Sequence, residues 1–413
     1  MGMQHNPGGA SDPVPSELEE FDKKNTMASD TAPSSPTGSN FQERQHQLMM
    51  QRCIALARRA LGATAPNPLV GCVIVQDGQI VGEGFHPKAG EPHAEIFALR
   101  AAGERARGAT LYVNLEPCNH YGRTPPCSEA LINAGIAQVV VGMVDPDPRV
   151  SGRGIAQLRA AGVEVVVGVE EAACQRLNEA FIHRVRYHRP FGILKYAMTL
   201  DGKIATTSGH SAWVTDQAAR ATVHHLRAVC DAVIVGGNTV RRDNPRLTLH
   251  RDLQAGKPAR NPLRVVMSRS LQLPTQAHLW QTAEAPTLVL TESRNFELQQ
   301  YLVEKGIEVI TFEALTPAVV MAHLYERGLL SVLWECGGTL AAPAIAQGAV
   351  QKVMAFIAPK IVGGDTAPTP VGELGLTTMT NALSLEQVQW HTVGADCLIE
   401  GYLPRRLWEP MTL

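Results

Sequence analysis

A chain of 413 residues, at roughly 150 residues per domain, predicts two or three folded units. Hydrophobic residues at 45% against charged residues at 18% allow a large core and exclude a fibrous or wholly disordered polypeptide. With 37 Lys plus Arg against 39 Asp plus Glu, there is no general field for holding a polyanion, so nucleic acid is not an expected partner, although a small phosphorylated ligand needs only local donors.

No stretch approaches the ~20 apolar residues of a membrane helix. The least charged long segment, residues 336–351, is broken by Gly337, Gly338, Pro343 and Gly348. The N-terminus has no apolar secretory core, and Glu17, Glu19, Glu20 and Asp22 argue against an organellar transit peptide. Eight cysteines without an export signal read as reduced thiols, and the expected compartment is the cytoplasm.

Residues 1–42, with Ala32-Pro33-Ser34-Ser35-Pro36 and similar runs, carry no apolar period and are expected to be a disordered tail. Order is predicted from about Gln45, where Leu48, Met49, Cys53, Leu56, Ala57 and Ala60 recur at helical spacing up to Gly62. A hairpin over 70–84 follows, with Asp77-Gly78 as its turn signal. Next come a helix over 93–102, a strand over 110–115, a helix over 128–134 and a strand over 139–144. A helix over 155–161 and a strand over 163–169 complete an αβα layer, so residues 43–188 are expected to form one domain. Tyr187-His188-Arg189-Pro190 reads as a hinge. Beyond it, strands are predicted over 191–197, 232–236, 262–267, 287–291, 309–311, 332–335 and 353–357, with helices over 216–228 and 318–326. They imply a second α/β domain over 189–413.

Two groups of residues carry chemistry. His93-Ala94-Glu95 sits at a helix mouth just after Pro92, and the strand over 110–115 runs into Glu116-Pro117-Cys118, with Cys127 beyond Pro125-Pro126. One His and two Cys suit Zn²⁺ with its fourth position open, which favours hydrolysis, whereas a closed structural site would want a fourth protein ligand. His93, Cys118 and Cys127 are therefore the expected ligands, and Glu95 the proton shuttle. The usual gap between such cysteines is two residues, yet here it runs from Asn119 to Pro126. In the second half, Lys195 lies on an apolar strand, and Gly236-Gly237-Asn238-Thr239 and Gly337-Gly338-Thr339-Leu340 are strand-to-turn segments that expose backbone N–H groups suited to phosphate. Ser268 and Arg269 end another strand, where a hydroxyl and a guanidinium can bind a phosphate group. Ser151-Gly152-Arg153-Gly154 is a decoy for a dinucleotide fingerprint: Gln157 stands at the third glycine's place, and Asp145-Pro146-Asp147-Pro148 separates it from the preceding strand.

Thr64-Ala65-Pro66-Asn67-Pro68, His93-Ala94-Glu95 and the run from Glu116 through Asn119-His120-Tyr121-Gly122-Arg123-Thr124 to Cys127 resemble the bifunctional pyrimidine deaminase/reductases of riboflavin biosynthesis. The resemblance covers residues 46–413, and the long cysteine gap is a hallmark of that family. Asn119 stands where the family often has Ser and disturbs no ligand. The resemblance implies a zinc cytidine-deaminase-like αβα domain followed by a dihydrofolate-reductase-like domain that uses NADPH. It implies a phosphorylated ribosylaminopyrimidine as substrate, with Asn67, His86, His120 and Arg123 as contacts in the first half. Further matches are Thr199-Leu200-Asp201-Gly202-Lys203, Asp243-Asn244-Pro245-Arg246-Leu247-Thr248 and Glu335-Cys336-Gly337-Gly338. By that likeness Ala197, Trp213, Thr239, Asp243 and Gly337 to Leu340 contact the cofactor, and Ser211, Arg227, Arg246, Leu247 and Glu335 the substrate. Lys195, Asp243 and Glu335 are then the polar groups nearest the reduction, with Lys195 as proton donor or charge stabiliser. Homo-oligomers are also implied. The rival readings are a nucleic-acid or nucleoside zinc deaminase with a C-terminal binding module, and a non-enzymatic zinc protein. The neutral charge and the Gly122-Arg123-Thr124 loop weigh against the first, which NADPH oxidation by the protein would exclude as a complete answer, and the three-ligand set weighs against the second.

Overall fold

The computed structural model describes residues 38–121, 125–249 and 260–409. The chain divides into one unit over Met1–Gln45 and a second over His46–Leu413. The expected tail lies outside the described residues as far as position 37. Helix α1 (Gly38–Ala57) begins ahead of the expected Gln45, because the mostly polar residues 38–44 offer no apolar period to read. Its inner face is Met50, Cys53, Ile54, Leu56 and Ala57, whereas Leu48, expected on that face, is 54% exposed.

Strands β1 (Gly71–Gln76) and β2 (Gln79–Phe85) form the hairpin, and Asp77 and Gly78 both take positive φ, as a tight two-residue turn requires. Helix α2 (Ala94–Ala102), β3 (Thr110–Leu115), α3 (Cys127–Asn133), β4 (Gln138–Met143), α4 (Arg153–Ala160) and β5 (Glu164–Val167) follow within two residues of their predicted bounds. The sheet order is β2-β1-β3-β4-β5, with β1 antiparallel to both neighbours and β3, β4 and β5 parallel. Alternate strand residues face opposite layers. Cys72, Ile74, Leu111, Val113, Val139 and Val141 meet Ala94 and Ala98 of α2, Leu131 of α3 and Leu158 of α4. Val73, Tyr112 and Val140 meet α1 and Cys174 of α5 (Glu171–Leu177) on the other face. This is the expected αβα sandwich, although α5 and α6 (Glu179–Tyr187) were not read from the sequence.

The second sheet has β6 (Phe191–Thr199), β7 (Ala232–Gly236), β8 (Leu263–Met267), β9 (Thr287–Thr291), β10 (Glu308–Thr311), β11 (Ser331–Trp334), β12 (Lys352–Ala358), β13 (Glu386–Val393) and β14 (Asp396–Tyr402). Its order is β10-β9-β8-β7-β11-β6-β12-β14-β13, parallel except for the β12-β14-β13 end. Helices α7 (Gln217–Val229), α8 (Gly237–Asp243), α9 (Phe296–Glu304), α10 (Pro317–Glu326) and α11 (Gly338–Ala346) intervene. Asp216 caps α7 by accepting from the Ala219 N–H at 2.9 Å. The sequence reading missed α8, α9, α11 and the β13–β14 pair. Strand β13 is a largely exposed edge without an inward apolar alternation, and α11 contains Pro343. Among the described residues no helix is long and apolar enough to cross a membrane.

The segment expected as a hinge is a packed joint. Arg189 donates to the carbonyls of Trp408 at 2.5 Å and Gly348 at 3.3 Å, and the Tyr187 hydroxyl donates to Glu409 at 2.7 Å. His183, Tyr187 and Trp408 stack edge to face around it. A second contact joins the halves at Gly62, whose φ is +76° and where a Cβ would lie 2.3 Å from the Ala228 carbonyl oxygen in α7. Strain and overlap act together there, so Gly62→Ala is expected to destabilise the protein by roughly 1–3 kcal/mol. A urea midpoint within error of wild type would contradict it.

Candidate active sites

The first site is built at the ends of α2, β3 and α3. His93 is the residue before the first turn of α2 and Glu95 lies in that turn, so the helix start aims both at the same point. Strand β3 delivers Cys118 just past its end, and Cys127 opens α3. The Cys118 and Cys127 Sγ atoms lie 3.5 and 3.3 Å from His93 Nδ1, and the Cys127 N–H donates to Cys118 Sγ at 3.4 Å. The three ligand atoms fall within 4.8 Å of one another, a grouping suited to a metal ion. Glu95 is 3% exposed, and its Oε2 is a buried oxygen with no hydrogen-bond partner among the described residues. A borderline-soft donor set beside an orphaned carboxylate oxygen fits zinc with one exchangeable position.

Burial pushes the Glu95 carboxyl up to about 7. The Cys118 thiol is lowered to about 4, first by the hydrogen bond from Cys127 and then by His93, while Cys127 rises because it donates to Cys118. His93 rises to about 9 through its bond to Cys118. These directions favour a Cys118 thiolate beside a protonated His93 and a Cys127 thiol, and a divalent cation would displace those protons. Beside it, His86 Nδ1–H donates to the Pro92 carbonyl at 3.0 Å and its Nε2 faces Asn67 Nδ2 at 3.0 Å. Burial lowers the His86 pKa, which favours the neutral ring with Nε2 as acceptor. Asn67 and His86 are therefore brought to the ligand cluster, with the His86 and His93 rings 5.6 Å apart. His120 is exposed on the inserted loop. Arg123 lies outside the described residues, as do Gly122 and Thr124.

The second site lies at the carboxyl ends of β6, β7, β8 and β11, which parallel pairing puts on one sheet edge. Arg227 from α7 forks onto Glu335, with Nε to Oε1 at 2.6 Å and Nη2 to Oε2 at 2.9 Å, and Lys195 Nζ is 4.0 Å from Oε2. Burial alone would raise the Glu335 carboxyl, but Arg227 and then Lys195 hold it below its usual range. Burial lowers the Lys195 ammonium, with Glu335 opposing the fall, so its proton is released more readily than from a solvated lysine. Arg227 also donates to the Thr248 carbonyl at 3.1 Å, tying the trio to the Asp243–Thr248 motif.

Of the other residues expected here, the Ser211 hydroxyl donates to Asp243 Oδ1 at 3.4 Å, and burial raises the Asp243 carboxyl. The two Gly-Gly turns meet: a Cβ on Gly236 would sit 3.5 Å from Leu340 Cδ2, and one on Gly237 would sit 2.9 Å from Ser268 Oγ. Ser268 is buried and Arg269 exposed at the end of β8. Ala197 is half-buried on β6, as is Thr239 on α8, and Gly337, Gly338 and Thr339 start α11. Trp213 is 71% exposed, with the Arg220 guanidinium 4.6 Å over its ring. Leu247 is buried, whereas Arg246 turns outward to Glu284 at 2.7 Å.

The sequence reading missed Arg264. Fully buried on β8, it donates to the carbonyls of Arg246, Leu279, Gln281 and Ala285 and so holds the loop that carries Leu247. The signal was a lone cation in an otherwise apolar strand.

Comparison with known proteins matches both halves of the chain. The description "RibD C-terminal domain" matches residues 190–399, and "Cytidine and deoxycytidylate deaminase zinc-binding region" matches residues 43–143. The chain is 63% identical over 358 residues to the riboflavin biosynthesis protein RibD of Synechocystis sp., covering 86% of this chain and 96% of that one. A structure of Acinetobacter baumannii RibD aligns with TM-score 0.79 and 38% identity over 88% of this chain and 99% of that one. A Thermotoga maritima diaminohydroxyphosphoribosylaminopyrimidine deaminase/5-amino-6-(5-phosphoribosylamino)uracil reductase aligns with TM-score 0.78 and 37% identity over 88% and 100%. A zinc-type His/Cys/Cys centre in an αβα sandwich, joined to a parallel-sheet reductase half and matched across nearly the whole length of these relatives, leaves one conclusion: the chain belongs to the RibD family of bifunctional riboflavin-biosynthesis deaminase/reductases.

Proposed function

We propose that residues 43–188 hydrolyse the 2-amino group of 2,5-diamino-6-ribosylamino-4(3H)-pyrimidinone 5′-phosphate, and that residues 189–413 reduce the ribosyl chain of the product to ribityl with NADPH. The observation that carries this reading is the His93, Cys118 and Cys127 cluster beside the unpartnered Glu95 oxygen. His93, Cys118 and Cys127 would hold zinc, which supplies Lewis acidity for hydrolysis. Glu95 moves the proton from the attacking water to the ring and the departing ammonia. Asn67 and His86 orient the pyrimidine, and His120 and Arg123 extend the contact from the inserted loop. In the reductase half NADPH supplies the reducing equivalents. The Gly-Gly turns hold its phosphates, with Ala197, Trp213, Thr239 and Asp243 along the cofactor. Ser211, Arg227, Arg246, Leu247 and Glu335 receive the substrate, and Lys195 donates the proton. The test is zinc content with turnover of the diamino substrate, with and without NADPH. Ammonia release without NADPH and ribityl product only with it support the reading, and zinc-independent turnover overturns it.

Ser268 and Arg269 are proposed to read the 2′-phosphate. Arg269→Ala is expected to narrow the preference for NADPH over NADH by about tenfold or more, since a hydrogen bond to a charged group contributes roughly 1.5–3 kcal/mol. An unchanged preference in steady-state kinetics assigns the phosphate to another group. The proposal includes a homo-oligomer, supported by the exposed edge strand β13 with Trp390 67% exposed. It also includes a cytoplasmic location, supported by eight free thiols.

A further inference from the structure

The glycine-rich decoy Ser151-Gly152-Arg153-Gly154 does bind an anion, and the anion is a side chain of this chain. Glu116, 3% exposed, lies between the end of β3 and Cys118. Its Oε2 accepts from the N–H groups of Gly152 at 2.9 Å and Asp145 at 3.2 Å. Its Oε1 accepts from Gly154 at 2.9 Å and Ile155 at 3.2 Å. Among the described residues Glu116 forms no ion pair, and these four backbone amides are the partners of its side chain. A buried carboxylate in such a nest is expensive to leave unpaired and is correspondingly rigid when satisfied.

The start of α3 grips Cys118 from its other side. The Ser128 N–H donates to the Cys118 carbonyl at 3.1 Å, and the Ser128 hydroxyl lies 3.1 Å from that carbonyl and 2.7 Å from the Gln157 side-chain amide in α4. Backbone contact closes the clamp: a Cβ on Gly154 would lie 2.1 Å from the Pro117 carbonyl oxygen. Glu116, the Cys118 carbonyl, Ser128 and the start of α4 are thus one hydrogen-bonded block around two of the three ligands.

We propose that Glu116 is a positioning residue of the metal centre: its carboxylate, seated in the amide nest at the start of α4, sets the Cys118 peptide and thereby the spacing of Cys118 and Cys127 about the ion. The proposal rests on the ligand assignment above. A Gln at 116 keeps the size but turns an amino group toward N–H donors, so at least one arm of the clamp is lost.

The experiment uses the full-length protein with zinc, and with cobalt exchanged for zinc, in wild type, Glu116→Gln and Cys118→Ser. Loss of support from behind a ligand typically costs 10–100-fold in metal affinity. Glu116→Gln is therefore expected to lose zinc to a chromophoric chelator about 10–100-fold more readily and to shift the visible cobalt absorption. NADPH-dependent reduction of the already deaminated substrate should stay at wild type, which shows the reductase half intact, and an unchanged far-ultraviolet circular dichroism spectrum shows the whole chain folded. A role in stability alone would lower the melting temperature and leave affinity and cobalt spectrum unchanged. That outcome, with Cys118→Ser devoid of metal, overturns the proposal and leaves the ligand set standing. Zinc retained by Cys118→Ser overturns the ligand set, and the proposal with it. If Glu116→Gln does not fold, Glu116→Asp, which keeps the charge but withdraws it by one methylene, is read against the same two criteria.

Discussion

Cys118→Ser is expected to strip zinc from the deaminase half and to lower deamination by about a thousandfold or more. Zinc prefers thiolate to a neutral hydroxyl, and the triad has three ligand atoms within 4.8 Å, so one loss leaves two protein ligands. The stabilisation a Lewis acid supplies is on the order of several kcal/mol, and each 1.4 kcal/mol is about tenfold in rate. Glu95→Gln separates holding the metal from moving the proton. It should keep full zinc, because Glu95 is not a ligand, yet lose about 10²–10⁴-fold in deamination, the usual contribution of a positioned acid/base. Metal analysis alongside ammonia release decides both. Full zinc in Cys118→Ser, or normal turnover in Glu95→Gln, removes the corresponding role.

Lys195→Met is expected to stop the reaction halfway. The Arg227–Glu335 fork at 2.6 and 2.9 Å stays closed without Lys195, so no buried charge is left unpaired and the fold should hold. Losing a charged donor at the reacting centre removes roughly 1.5–3 kcal/mol, or about ten- to about 150-fold in reduction. Ammonia release should be untouched and the deaminated, unreduced compound should accumulate. The reciprocal variant, Glu95→Gln supplied with deaminated substrate, should oxidise NADPH at the wild-type rate. Silence in that assay from folded, zinc-loaded protein would mean that the two centres are coupled. The packed joint at Arg189 and Gly62 makes this a real test, because the halves touch at α7, the helix that carries Arg227.

Local patterns carried much of this protein. The apolar run of Val139, Val140 and Val141 predicts a strand, and the two cores divide its residues between the faces of the sheet. Asp77-Gly78 dictates its own turn. His93, Glu95, Cys118 and Cys127 were legible because zinc accepts few ligand types, and because helix and strand ends are where such ligands are presented. The β13–β14 pair was not legible: an edge strand with one face in solvent has no period to detect.

What the sequence by itself determined is the set of chemical groups and the layers that bear them, since periodicity and ligand chemistry are properties of neighbouring residues. What only the tertiary structure decided is which distant groups share a charge. Arg227 could as well have been a surface cation, but closure of the sheet places it in a fork on Glu335, 108 residues away. Arg264 reads as an error in an apolar strand until four loop carbonyls turn toward it. The glycines at 152 and 154 resemble a cofactor loop until Glu116 fills it. In each case the partner is fixed by the cost of leaving a buried charge unpaired, and that cost exists only once the chain has folded.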